Sequence, residues 1–325
     1  MDPIDRNDFH VLKYFSSFIS VSKGNVIFVS DPGIRYCPLA SHFYKELRGA
    51  KIDKENIKQA IRKIIEFKIQ EYGFFTPKRN FDIQKVQVPY GASEMLMFAL
   101  RRKVIDAAVI VCDGAGTVIS DSAETVQGIG ARMHNLIRTS PIIETMKRLI
   151  SRGCHIVSDS AIIDQFEGVR KAAEMGYKAI AVTIDAYSAD NLARLKDIEK
   201  CYGVKIISLV VCTNGVKKET LETIIQYADL AWSCTSNETC QVIGPLARLQ
   251  LSELMPVFVI SDTGVDFISG CSQGFDDIDN KKKYLISSRK CGKPIFIGDV
   301  SAYYMVESQL PVLPETYTRF EAQVA

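Results

Sequence analysis

Nine cysteines in a chain of 325 residues stand in a definite relation to its apolar segments. Cys112 closes the run Asp106–Cys112, Cys212 closes Lys205–Cys212 and Cys234 closes Leu230–Cys234. If those runs are neighbouring parallel strands, three sulfurs lie along one rim, spaced by roughly 4.8 Å per strand. Thiolates gathered that way suit a soft metal ion or an iron–sulfur cluster. Cys37, in the turn-prone run Arg35-Tyr36-Cys37-Pro38-Leu39, is the candidate ligand or reactive thiol from another part of the chain. The opposing reading is that cysteine serves here as a small buried hydrophobe. No Cys-x-x-Cys pair occurs, and Cys234 and Cys240 are spaced more loosely than cluster ligands. Cys154, Cys201, Cys271 and Cys291 follow no usable pattern.

Glycines supply the second candidate. Asp113-Gly114-Ala115-Gly116-Thr117 follows an apolar strand, as a phosphate-cradling loop should, but Val118-Ile119-Ser120 after it favours a strand or loop over a helix. Gln127-Gly128-Ile129-Gly130-Ala131-Arg132 adds flexible backbone and one cation. The two runs together either wrap an anionic ligand or form tight, closely packed turns. Asp159, Asp164, Gln165 and Glu167 cluster at a helix start, where acids cap the helix or act as a general base or hard-metal ligand. His134 and His155 stand near these loops without zinc or nucleophile spacing.

The elements that must position these groups alternate. Strands are expected at Gly24–Ser30, Phe81–Val88, Asp106–Cys112, Ala179–Ile184, Lys205–Cys212, Leu230–Cys234 and Pro256–Ser261. Helices are expected at Asp53–Tyr72, Ser93–Val104, from Thr139-Ser140-Pro141 to Arg152, and at Asp164–Met175, Asp190–Tyr202 and Lys218–Tyr227. Short, uniformly apolar strands alternating with helices mean a parallel sheet covered on both faces. The expected fold class is therefore α/β, a Rossmann-like, mostly parallel sheet over residues 91–284. Residues 1–90 and 285–325 are expected to build a smaller α+β lobe from both chain ends. Ligands of open parallel sheets bind outside the carboxyl ends of the strands, where the cysteines and the first glycine run fall.

Bulk properties narrow the function. With 40 Lys+Arg against 38 Asp+Glu, the net charge is too small to argue for a nucleic-acid partner. The charge is uneven: residues 1–103 hold 18 Lys+Arg and 11 Asp+Glu, either a basic outer face or a docking surface for an acidic partner. No apolar run approaches the roughly 20 residues of a membrane-spanning helix. The polar start Met1-Asp2-Pro3-Ile4-Asp5-Arg6 lacks a secretory signal. A cytoplasmic, non-membrane protein is expected, with its cysteines free or ligating.

The runs Arg35–Leu39, Tyr90–Glu94, Val109–Thr117 and Val126–Gly130 resemble methanogenesis marker protein 8, an archaeal family of unknown function. Ile163-Asp164-Gln165 with Gly168, Gly176-Tyr177-Lys178 with Ala181-Val182-Thr183, and Ala228-Asp229 with Cys234 and Ser236 continue the likeness. It spans about residues 30–265, and the Cys112–Thr117 run is its most specific piece. The resemblance implies an anaerobic cell and a link to methyl-coenzyme M reductase or its maturation machinery, and it carries no catalytic residue over. A shorter stretch, Gly91–Val111, looks like the deazaflavin-dependent hydrogenase β-subunit family. Two functions follow as expectations. The first is an accessory or maturation protein holding a metal, an iron–sulfur cluster or a cofactor intermediate at Cys37, Cys112, Cys212 and Cys234. The alternative is an enzyme acting on an anionic small molecule or a nucleotide or deazaflavin cofactor. Its ligand would be held by Asp113, Gly114, Gly116, Thr117, Gln127, Gly128, Gly130 and Arg132.

Overall fold

The computed structural model describes residues 8–34, 46, 53–88, 90–251 and 255–271, and the backbone of 294–297 and 300–303. Cys37 and Cys291 lie outside the described residues, as do most of the residues from 285 to 325. The elements begin with β1 (His10–Tyr14), β2 (Ser17–Ser22), β3 (Asn25–Val29), α1 (Lys54–Tyr72), α2 (Ala92–Arg101), β4 (Ala107–Cys112) and β5 (Gly116–Ser120). They continue with α3 (Ala123–Gly130), β6 (Asn135–Arg138), α4 (Ile143–Ser151), β7 (His155–Ile156), α5 (Gln165–Glu174), β8 (Ala179–Asp185), α6 (Ala193–Tyr202) and β9 (Lys205–Val211). The remainder are α7 (Lys218–Tyr227), β10 (Leu230–Trp232), α8 (Asn237–Val242), β11 (Leu249–Leu251), β12 (Val257–Val259), α9 (Asp262–Cys271), β13 (Pro294–Ile297) and β14 (Val300–Tyr303). The fold is mixed α/β. The chain divides into two compact units, residues 1–84 with 109–168, and residues 85–108 with 169–325.

In the first unit an antiparallel sheet runs β3-β2-β1-β6. Its first two strands are joined through Phe15 and Ser16, both at positive φ (53° and 52°). That is the backbone twist a two-residue hairpin needs. Helix α1 buries Ile57, Ala60, Ile61, Ile65 and Ile69, which share one core with Leu12, Ile19, Val21 and Phe74. Asp53 starts the helix by accepting from the Asn56 N–H at 2.9 Å, and Gly73, at φ 67°, ends it. The same unit holds β5 paired antiparallel with β7.

In the second unit β8 and β9 pair in parallel from Ala179↔Lys205 to Asp185↔Val211, and β10 extends the parallel set beside β9. Here the continuous apolar runs do mark strands covered on both faces. The outer strands break the parallel pattern: β12 is antiparallel to β10, and β11 is antiparallel to β12. The expected fifth strand therefore runs the opposite way. Its end, Ser261-Asp262, lies level with the start of β10, where the Ser261 hydroxyl donates to Asp229. Trp232 on β10 is buried, and its indole N–H donates to the Tyr90 carbonyl at 2.9 Å.

Two further expectations change. Phe81–Val88 forms no strand, because the buried Glu94 carboxylate satisfies the Gln87 and Val88 N–H groups at 3.0 and 3.3 Å. Gln127–Gly130 is the last half of α3 and not a flexible loop.

Candidate functional site

The carboxyl ends of β8, β9 and β10 lie side by side in the second unit. They deliver Asp185, Cys212 and Cys234 to one rim. Leu209 pairs with Leu230 and Val210 with Ala231, so continuing the register brings Cys212 level with Ser233. Both cysteines leave the sheet in the left-handed region, at φ 65° and 52°, which is uncommon for a residue with a side chain. Both are half-buried.

The loops beyond the two cysteines are tied together. The Asn214 side-chain oxygen accepts from the Thr235 N–H and from the Thr235 hydroxyl, each at 3.0 Å. The Tyr187 hydroxyl donates to the Asn214 carbonyl at 2.8 Å, and the Thr213 hydroxyl donates to the Trp232 carbonyl at 2.8 Å. Asp185 accepts from the Tyr187 N–H at 2.8 Å, which holds its carboxylate at the rim.

Charge on Cys234 is favoured by this arrangement. The Cys212 thiol hydrogen-bonds to the Cys234 sulfur, and the N–H groups of Thr213 and Cys212 point at it. These donors lower its pKa below the ordinary thiol value, against burial and the nearby Asp185 carboxylate. Burial, partly offset by a hydrogen bond from Ser233 and reinforced by the charge of Cys234, pushes the Cys240 thiol in α8 up to about 11.

Cys112 has a different environment in the first unit. It is fully buried, its thiol donates to the Asp113 carbonyl at 3.3 Å, and burial followed by the Asp113 carboxylate holds it well above the ordinary range. Of the expected rim, the structure brings Cys212 and Cys234 together and seals Cys112 away from ligands. Among the described residues, no group of three or more His, Cys, Asp or Glu side chains is placed to hold a metal ion.

The glycine runs are turned toward protein. A side chain at Gly116 (φ 69°) would meet the Ala161 carbonyl at 2.4 Å, and one at Gly128 would meet the Phe81 carbonyl oxygen at 1.9 Å. Gly114, at φ 76°, faces Ile142, and its N–H donates to the Thr139 hydroxyl at 2.7 Å. The Thr117 hydroxyl donates to Gln165 and accepts from the Asp164 N–H, both at 2.8 Å. Gln127 is buried, Gly130 ends α3, and Arg132 lies 5.0 Å from the Tyr72 ring. Asp164 caps α5 through the Glu167 N–H at 2.9 Å.

Asp113 has a partner with no sequence signal. The Arg79 Nε donates to Asp113 Oδ1 at 2.9 Å, both side chains being fully buried, and the Phe75 N–H donates to Asp113 Oδ2 at 2.6 Å. Arg79 also donates to the Asn80, Gly128 and Ile129 carbonyls, and its guanidinium lies 3.7 Å from the Phe74 ring centroid. A second close contact in the first unit is made by the half-buried Lys68, whose Nζ meets the half-buried His134 Nε2 and the Arg132 carbonyl, each at 2.6 Å. The Tyr14 ring stacks on His134 at 3.8 Å. Burial, then Arg132 and Arg79, lower Lys68 to about 7. Also in the first unit, a cavity of about 420 Å³ is lined by Arg138, Ser140, Ser160, Ile137 and Ile162 among others.

Among the described residues, no helix is long and apolar enough to cross a membrane. Residues 10–271 match the family described as an uncharacterized protein conserved in archaea, DUF2099. An uncharacterized protein of Methanocaldococcus jannaschii is 36% identical over 273 residues, covering 83% of this chain and 93% of the relative. A match over the strand ends, both glycine runs and the Cys212–Cys234 rim shows that this chain belongs to the archaeal DUF2099 family.

Proposed function

We propose that the protein is a cytoplasmic, methanogenesis-associated accessory or maturation protein of the marker protein 8 type, which holds a soft metal, an iron–sulfur unit or a metal-bearing cofactor intermediate between Cys212 and Cys234. Its client would be methyl-coenzyme M reductase or the machinery that matures it. The observation that carries this reading is the pair of hydrogen-bonded, half-buried sulfurs at the ends of adjacent parallel strands. Ligand placement at such strand ends is the Rossmann-like habit. Two thiolates supply half of a tetrahedral soft-metal site. A cargo held that way keeps open positions for ligands of the donor and acceptor, which suits transfer better than permanent storage.

Anaerobic purification followed by metal analysis and an ultraviolet–visible spectrum tests the proposal. The expected result is a thiolate-to-metal band and bound metal, lost in Cys212→Ala and in Cys234→Ala and retained in Cys112→Ala. A protein that takes up neither iron, nickel nor copper(I) under reducing conditions would overturn it. A second reading, an enzyme for an anionic small molecule or a nucleotide or deazaflavin cofactor, draws support from the 420 Å³ cavity with its Arg138 cation and its Ser140 and Ser160 hydroxyls. Thermal stabilisation by such a compound, abolished in Arg138→Gln, would favour it.

A further inference from the structure

We infer that Cys212 and Cys234 also form a reversible dithiol–disulfide couple, which exchanges with low-molecular-weight disulfides. The inference uses the same two sulfurs as the reading above but requires no metal.

Its grounds are geometric. Adjacent parallel strands place their backbones about 4.8 Å apart, within the Cα separation of roughly 4.4–6.8 Å that a disulfide spans. Cys212 and Cys234 leave two such strands within one residue of the same level. Attack on a disulfide needs an accessible thiol. Cys112, Cys154, Cys240 and Cys271 are buried, whereas Cys212 and Cys234 are half-buried. Cys201 is exposed but sits on α6, away from the strand ends. The Asn214–Thr235 hydrogen bonds clamp the two loops just beyond the cysteines. Their spacing is then set by the scaffold, in the reduced and oxidised forms alike.

The strained backbone fits this role. A left-handed backbone is uncommon for a residue with a side chain, and here two such residues sit at the ends of neighbouring strands. Cys234 attacks and Cys212 resolves, or the reverse; both are half-buried and the chemistry is the same in either order.

The steps balance. The Cys234 thiolate attacks one sulfur of an incoming disulfide R–S–S–R. The S–S bond breaks, one R–S⁻ leaves with the electron pair, and a mixed disulfide forms on Cys234. Cys212 then loses its proton, attacks the Cys234 sulfur and expels the second R–S⁻. Both leaving thiolates take up the protons released by the two cysteines. In sum, two cysteine thiols are oxidised to one disulfide while R–S–S–R is reduced to two R–SH.

The test uses the full chain, reduced and metal-free, equilibrated anaerobically in glutathione and glutathione-disulfide mixtures, then alkylated, digested and analysed by mass spectrometry. The expected product is one intramolecular cross-link, Cys212 to Cys234, reversed by excess reduced glutathione. Cys212→Ser and Cys234→Ser should each form no cross-link and trap a single glutathione adduct on the cysteine of the pair that remains. Separate glutathione adducts on both cysteines with no cross-link would overturn the couple, as would preferential oxidation of Cys201. The wild-type cross-link alone decides the matter if either variant fails to fold. Metal uptake by the reduced protein is measured independently, so a protein that cross-links but takes up no metal retains this inference and loses the earlier reading.

Discussion

Removing the Arg79 guanidinium gives the sharpest test of how the first unit is held together. In Arg79→Met the aliphatic volume is largely kept, but the Asp113 carboxylate remains fully buried with the Phe75 N–H and the long, weak Cys112 thiol contact at 3.9 Å as its described partners. The Asn80, Gly128 and Ile129 carbonyls also lose their donor. Breaking one side of a buried pair costs about 3–5 kcal/mol, a large part of the roughly 5–15 kcal/mol that holds a domain folded. With a urea slope of about 2 kcal/mol per molar, the midpoint for the first unit should fall by about 2 M, read by far-ultraviolet circular dichroism. The double variant Arg79→Met with Asp113→Leu removes both charges and should recover much of the loss. It should stop short of wild type, because the Phe75 N–H then lacks its acceptor, at about 1–3 kcal/mol. A single variant that loses less than about 1 kcal/mol, or a double variant equal to the sum of its singles, would refute the view that the pair is one coupled unit.

Three other outcomes are expected. Lys68 is lowered from 10.5 to about 7 in the folded chain, so its contribution to stability is fully present above pH 10.5 and is lost as pH falls toward 7. Lys68→Met should flatten the dependence of the urea midpoint on pH across that window, and an unchanged slope would contradict the assignment. Gly116→Ala and Gly128→Ala should each destabilise by about 1–3 kcal/mol or more, since the added carbon meets backbone and, at Gly116, a positive φ as well; wild-type thermal midpoints would refute this. Glu94→Ala frees the Gln87 and Val88 N–H groups, at about 1–3 kcal/mol, and should make residues 85–91 the first site of limited proteolysis.

How much the chain disclosed beforehand varies with the range of the forces involved. Helix α1 was legible to within a residue, because the Asp53 side chain caps its start and Gly73, having no side chain, takes the left-handed conformation that stops it. The same is true of α7, and of β8 and β9, whose unbroken apolar runs need no distant partner to be read. The start of α4 was read too early. Thr139 and Ser140 look like caps, but their hydroxyls bind His10, the Gly114 N–H and the Phe9 backbone, and the helix begins at Ile143. Helix α3 was hidden by two glycines that weaken its propensity; Gly128 is tolerated there because the Phe81 backbone must approach that closely.

The direction of β12 was not legible either, since a three-residue apolar strand reads the same both ways. The rim site was half visible. Strand-end cysteines marked Cys212 and Cys234, but the same signal at Cys112 marks a buried thiol. Local sequence carries no sign of which face of the sheet end a side chain turns to, nor of Arg79 arriving 34 residues away to neutralise Asp113.

The single tryptophan lies two residues before Cys234, its ring buried and its indole N–H fixed by Tyr90. Intrinsic fluorescence is thereby an optical probe built in beside the sulfurs. Thiolates, disulfides and bound metals quench indole emission, so each chemical state of the rim should have its own brightness.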